Sequence, residues 1–207
     1  MNIAAVGTGN VGATLAISLS KAGHRVFPGV RSLKSFSGMD KILAAGLEPK
    51  RITEAVALSD IIILATPATA AADAARQLGD TTGKVIIDTM NIVGGRGPEG
   101  FENTASAVLE HTQTKDVVKC FNTTGYENMT DPQYAAGPID MFTAGDSKRG
   151  KEIATRLARD IGFGEVYDLG GNDKFTLIEQ LANVWIDLAI MQGYGRDMAF
   201  KIIRRSV

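Results

Sequence analysis

Apolar residues along the chain gather in short runs, at residues 3–6, 25–29, 61–65, 85–87 and 117–121, each bounded by polar or turn-forming residues. Near-continuous hydrophobicity over so few positions suits strands buried on both faces, as in a parallel sheet. Between the runs stand residues 11–22 and 68–78, where alanine and leucine dominate and turn residues mark the ends, so helices are predicted there. The alternation is βαβ. It predicts an α/β fold of the Rossmann type, with a doubly wound, mostly parallel sheet and a short helical extension at the C-terminal end.

A further run at residues 141–144 ends in Gly145-Asp146-Ser147, where Asp146 or Ser147 can cap a helix over residues 148–161. Residues 165–169 read as another strand, followed by Gly170-Gly171-Asn172. Residues 175–192 then read as one helix, with Leu177, Leu181, Val184, Leu188 and Met191 recurring on one face. That face is predicted to pack over the carboxyl edge of the sheet or against a partner subunit. No repeat, low-complexity tract or linker divides the chain. Residues 1–145 are read as a nucleotide-binding domain, and residues 146–207 as a strand and helices that complete the substrate cleft and a homodimer interface within the same body.

Composition narrows the partners. The 207 residues are 44% hydrophobic and 22% charged, which is ordinary for a globular chain. A formal net charge of -1 leaves no broad basic field for a nucleic-acid backbone or an anionic membrane, and neither partner is expected. The single cysteine, Cys120, lies in an apolar run and is expected to be a buried strand thiol. The N-terminal residues lack the features of a signal peptide. Residues 181–191 are interrupted by Asn183 and Asp187 and fall short of the roughly 20 residues a membrane span needs. A cytoplasmic protein is the consistent expectation.

The chemistry-bearing motif is Gly7-Thr8-Gly9-Asn10-Val11-Gly12, which follows the first strand directly and opens the first helix. That context is the one a dinucleotide fingerprint requires. Gly7 permits the tight turn, Gly9 lets backbone N–H groups approach a pyrophosphate, and Gly12 lets the helix pack against the sheet. The second strand chooses the dinucleotide, because an acidic residue there accepts a ribose 2'-hydroxyl whereas arginine pairs with a 2'-phosphate. No Asp or Glu precedes Asp40; the strand runs into Val30-Arg31-Ser32-Leu33-Lys34-Ser35. Arg31, Ser32 and Lys34 therefore point to NADP(H), the plainer alternative being a solvated basic turn. Ligands of such sheets sit beyond the carboxyl ends of the strands, which adds Ala65, Thr66 and Pro67 after the third long run, Asn91 after the fourth, and Asn122 and Thr123 after the fifth. A helix-starting role for Pro67 and a capping role for Asn122 or Thr123 stay open.

On these residues, together with Val117-Val118-Lys119-Cys120-Phe121-Asn122-Thr123 and the tail Gly195-Arg196-Asp197-Met198-Ala199-Phe200-Lys201, nearly the whole chain resembles the coenzyme F420-dependent NADP oxidoreductase family. The resemblance implies that Thr8, Asn10 and Val11 bind the pyrophosphate region and that Arg31 with Lys34 holds the 2'-phosphate. It implies too that Thr66, Pro67 and the loop from Asn122 to Gly125 surround the nicotinamide, and that the protein dimerises. Val30 stands where the family often has serine. Asn122, Thr123 and Thr124 replace a histidine, threonine and isoleucine pattern, so the acceptor, coenzyme F420 or FMN, is left open.

Hydride transfer between two stacked heterocycles needs orientation more than a side-chain acid, which suits a chain with no evident catalytic residue. His24 and His111 are expected to be solvated. A rival reading is an NADPH-dependent carbonyl, imine or 3-hydroxyacid reductase with Lys174 as proton donor. Against it, too little chain follows Lys174 to build the usual helical substrate domain, and Lys174 reads as part of the last helix's first turn. A non-catalytic NADP(H) sensor is the third reading.

Overall fold

A computed structural model describes residues 1–205. Its main sheet is built from β1 (Asn2–Val6), β2 (Arg25–Val30), β3 (Lys50–Arg51), β4 (Ile61–Leu64), β5 (Val85–Asp88) and β6 (Val117–Lys119), all parallel, in the order β3-β2-β1-β4-β5-β6. The connecting helices are α1 (Asn10–Lys21), α2 (Met39–Ala44), α3 (Ile52–Ala57), α4 (Ala71–Arg76) and α5 (Thr104–Glu110). Then follow α6 (Tyr126–Thr130), β7 (Met141–Thr143), α7 (Lys148–Ile161), β8 (Val166–Asp168) and α8 (Phe175–Ile186).

Alternation along the strands divides the core in two. Ile3, Ala5, Ile61, Ile63, Val85 and Ile87 face α1 and α7, meeting Leu15, Leu19, Ala154 and Leu157. Ala4, Val6, Ile62, Leu64 and Ile86 face the other way, onto Ala55, Val56, Ala74 and Val108 of α3, α4 and α5. β4 and β5 are buried at every position, which is why β4 and the first three residues of β5 read as unbroken apolar runs. Each such Ile or Leu, fully withdrawn from water, contributes about 1.5–3 kcal/mol, so the paired layers hold the strand ends rigidly.

Around β7, α7 and α8 the structure departs from expectation in part and settles one open choice. Residues 141–144 and 165–169 do not join the parallel sheet: β7 and β8 pair with each other in a small second sheet, tied to the first by an antiparallel bridge between Lys119 and Ala144. The cap of α7 is Ser147, whose Oγ accepts from the Gly150 N–H at 2.8 Å, while Asp146 accepts from the Asn172 N–H instead. Residues 175–192 are not one uniform helix, since α8 stops at Ile186 and a π-helical turn, Asp187–Met191, follows. The buried side of α8 consists of Phe175, Ile178, Glu179, Ala182 and Trp185, leaving Leu177, Val184 and Met191 exposed. No helix among the described residues is long and apolar enough to cross a membrane.

Candidate functional site

A cleft of about 710 Å³ opens at the carboxyl ends of β1, β2 and β4, where the strand order reverses between β1 and β4. It is lined by Gly7, Thr8 and Gly9 from the first turn, Arg31 and Ser32 from the second, and Ala65, Thr66 and Pro67 after β4. Ser35, Phe36, Ile52 and, from α4 and its C-cap, Asp73 and Gln77 extend the same wall. A reversal of strand order splays the flanking connections apart, which is why a ligand crevice forms there.

The three glycines of the motif differ in what surrounds them. Gly7 has φ +91°, and a Cβ there would lie 2.5 Å from the Ala65 carbonyl oxygen. A Cβ on Gly12 would lie 1.8 Å from the Gly7 carbonyl oxygen, so this position is closed to any other residue. At Gly9 a Cβ would meet nothing within 4 Å, so the absent side chain leaves open space above the first turn of α1. That turn has no side-chain cap and no acidic residue, leaving its N–H groups and partial positive charge facing the space. These features fit a pyrophosphate. Asn10 and Val11 do not line the cleft: the Asn10 side chain is exposed and accepts from Lys41 Nζ at 3.5 Å, and Val11 packs on the core.

At the end of β2, Arg31, Ser32 and Lys34 are all exposed, and Ser32 Oγ accepts from the Lys34 N–H at 3.3 Å. Lys34 stands in the turn without lining the cleft wall. Sequence reading passed over Arg51, whose Nη1 donates to the Arg31 carbonyl at 2.7 Å. Only the pairing of β3 with β2 brings it there, 20 residues along the chain.

Beyond β5 and β6 the arrangement departs from expectation. Asn122 and Thr123 are 4% and 2% exposed and do not line the cleft. Asn122 Nδ2 donates to Asn91 Oδ1 at 2.9 Å, Asn91 Nδ2 donates back to the Asn122 carbonyl at 2.8 Å, and Thr123 Oγ1 meets Met141 Sδ at 3.7 Å. Phe121, at φ 62°, turns the chain at this point, in a conformation that aromatic residues seldom adopt. The result is a stitched rim rather than an open polar loop. Thr66 Oγ1 donates to Met90 Sδ at 3.1 Å and joins this rim to the cleft.

Beneath the rim lies Lys119, fully buried at the end of β6. Its Nζ donates to Asp88 Oδ2 at 2.7 Å, to the Met90 carbonyl at 2.8 Å and to Thr104 Oγ1 at 2.8 Å, and pairs with Glu179 Oε1 at 2.7 Å. Glu179 also accepts from the N–H groups of Thr104 and Ile92, so α8 is bonded to the segment after β5. Burial pushes the Asp88 carboxyl above its ordinary value, against the pull of Lys119, Thr104 and the Met90 N–H. Sequence reading took Lys119 as a member of an apolar run.

The tail closes the far side. Arg196 forms a fork with Glu127, Nε to Oε1 at 2.6 Å and Nη2 to Oε2 at 3.0 Å, and its guanidinium lies over the rings of Tyr126 and Trp185. Trp185 Nε1 and Asn128 Nδ2 both donate to the Met198 carbonyl, at 2.7 and 2.8 Å. Elsewhere, His24 is not solvated: its ring bridges the Met1 amine and Asp160. His111 likewise meets Arg76 Nη2 at 2.9 Å. Lys174 pairs with its neighbour Asp173 at the turn that leads into α8. Cys120 is buried as expected, and burial raises its thiol pKa to about 12.

Residues 2–92 match the family described as NADP oxidoreductase, coenzyme F420-dependent. Over the whole fold, the chain is similar to a protein of Arthrobacter sp. FB24 provisionally assigned as an F420-dependent NADP-reductase, with 27% identity, a TM-score of 0.86, and 99% of this chain and 100% of that one covered. It is similar also to a hypothetical protein of Sinorhizobium meliloti, at 24% identity and a TM-score of 0.68, with 99% and 96% covered. An imine reductase of Streptomyces aurantiacus shares the fold at 16% identity and a TM-score of 0.69; the match covers 94% of this chain but only 64% of the reductase.

Proposed function

From a chain whose residues 2–92 match the coenzyme F420-dependent NADP oxidoreductase family, we propose that the cleft holds NADP(H) and that the protein passes a hydride between nicotinamide and a deazaflavin or flavin acceptor, such as coenzyme F420 or FMN. The observation that carries this reading is the make-up of the cleft wall. It offers donors for phosphate at Gly9, Arg31 and Ser32, while its only ionisable side chains among the described residues are Arg31 and Asp73, the latter paired to Arg76 at 2.8 Å. No group poised for proton transfer stands on that wall, as hydride exchange between two cofactors requires none.

When bound, NADP(H) supplies or receives the hydride, and the acceptor ring carries the complementary half of the chemistry. The chain's own residues bind and orient. The first turn of α1 and Gly9 take the pyrophosphate; Arg31 and Ser32 take the 2'-phosphate, with Lys34 adding charge from the same turn outside the cleft wall; Ala65, Thr66 and Pro67 fix the ribose and nicotinamide end. Lys119, being enclosed, serves the rim and gives no proton to a substrate. The exposed side of α8 and its π-helical turn, with Leu177, Val184 and Met191, is the face through which we expect a homodimer to form.

The decisive experiment is NADPH oxidation at 340 nm with coenzyme F420, FMN and a panel of carbonyls and imines as separate acceptors. Turnover with F420 or FMN supports the proposal. Turnover confined to carbonyls or imines, abolished by Lys174→Ala, moves the protein to the rival reductase class, and tight NADPH binding with no turnover moves it to a sensor.

A further inference from the structure

The edge strand β3 has only two residues, and they are used in opposite ways. Successive strand side chains point to opposite faces. Lys50 Nζ meets Glu48 at 2.6 Å and Glu54 at 3.9 Å, and the hydrogen bond it donates to Glu48 raises the Lys50 pKa. Those two carboxylates are thereby engaged away from the turn. Arg51, paired in register with Val30, reaches the other way and docks one N–H on the Arg31 carbonyl.

The docking brings a second guanidinium to the turn that carries Arg31 and Lys34. Among the described residues none of the three has a carboxylate within ion-pair distance, whereas their strand neighbour Lys50 has two. Three cations gathered without an anion repel one another, and a bound dianion relieves that repulsion. Ile52, the residue after Arg51, lines the same cleft as Arg31, so β3 ends at the cleft and not behind it. A phosphate monoester presents three acceptor oxygens, more than the fork of a single guanidinium fills.

We infer that Arg51 is a second cofactor-selecting residue, adding its remaining N–H groups to those of Arg31 on the adenosine 2'-phosphate. The inference rests on reading the cleft as an NADP(H) site. Arg51 is exposed, so replacing it leaves the core untouched.

The test is calorimetric titration of NADPH, NADH and 2',5'-ADP into the wild-type chain, Arg51→Ala, Arg31→Ala and the double variant. Loss of one charge-assisted contact is expected to weaken NADPH and 2',5'-ADP about tenfold in Arg51→Ala, with NADH changed by less than about twofold. In the Arg31→Ala background, Arg51→Ala is expected to weaken NADPH relative to NADH by a further factor of about three or more, since a residue that contacts phosphate itself still has something to lose. An unchanged NADPH-to-NADH ratio in Arg51→Ala overturns the inference. So does the absence of further loss in the double variant, which reduces Arg51 to a prop for the Arg31 turn. A wild-type chain that binds NADH as tightly as NADPH removes the NADP(H) reading itself, a result separable from either of these.

Discussion

Cations stand at the carboxyl ends of strands in both halves of the sheet, and the two groups are built on opposite terms. At the β2–β3 end, Arg31, Lys34 and Arg51 are exposed, gathered by a backbone hydrogen bond and left without a carboxylate among the described residues. At the β5–β6 end, Lys119 is wholly enclosed and surrounded by Asp88, Glu179, Thr104 and the Met90 carbonyl. An exposed, unpaired set keeps its hydration and can exchange water for a ligand's phosphate. A buried lysine has no water to fall back on, so its partners must be supplied by the fold. Under the proposed function the first group is therefore disposable for folding and serves binding, and the second is the reverse.

The largest effect should come from breaking the buried group. Lys119→Ala leaves Asp88 and Glu179 facing each other without a cation, and removal of one partner from a buried ion pair costs about 3–5 kcal/mol. A fall of that size in urea or thermal unfolding is expected, against a smaller loss for Glu179→Gln, where Lys119 keeps Asp88. If Lys119→Ala unfolds like the wild type, the enclosed lysine is not holding α8 to the sheet. Arg31→Ala supplies the contrast: it should leave the melting temperature unmoved while raising the NADPH dissociation constant at least roughly tenfold, about 1.5–3 kcal/mol for a charge-assisted contact, with NADH almost unchanged. Equal losses for both cofactors would remove the 2'-phosphate assignment and with it half of the comparison.

What the sequence disclosed follows the same division. The exposed cation turn was legible because its logic is local: Gly7, Gly9 and Gly12 each perform a backbone task within one turn, and Arg31 follows a strand with no acidic residue before it. The buried group was not, since Lys119 sits in an apolar run and its partners, Asp88 and Glu179, come from distant parts of the chain. The reading of α8 left its leucine stripe to pack on the sheet or on a partner subunit; the fold buries Glu179 with Phe175, Ile178 and Ala182 and turns Leu177 and Val184 outward, a buried carboxylate that periodicity alone does not announce. Asn122 and Thr123 were placed at the correct strand end but in the wrong direction, because nothing in an aromatic residue announces the positive φ of Phe121.

A third cation lies between the two extremes and gives the smallest, most diagnostic effect. Arg196 is partly exposed, paired with the single carboxylate of Glu127 and set against Tyr126 and Trp185. Burial alone would push the Glu127 carboxyl up, but the hydrogen bonds and charge of Arg196 outweigh it and hold the carboxyl below its ordinary value of 4.5. A carboxyl whose pKa is depressed in the folded chain contributes its stabilisation in full above the ordinary value and loses it as pH falls through the folded one. Trp185 is the chain's single tryptophan and its Nε1 holds the Met198 carbonyl, so its emission reports whether the tail is seated. On acidification we expect an emission change with a midpoint below 4.5, before far-ultraviolet circular dichroism shows loss of helix, and no such step in Glu127→Gln. A midpoint at or above 4.5 would mean that Arg196 does not hold the carboxylate, and the tail would then be seated by its backbone bonds to Trp185 and Asn128 alone.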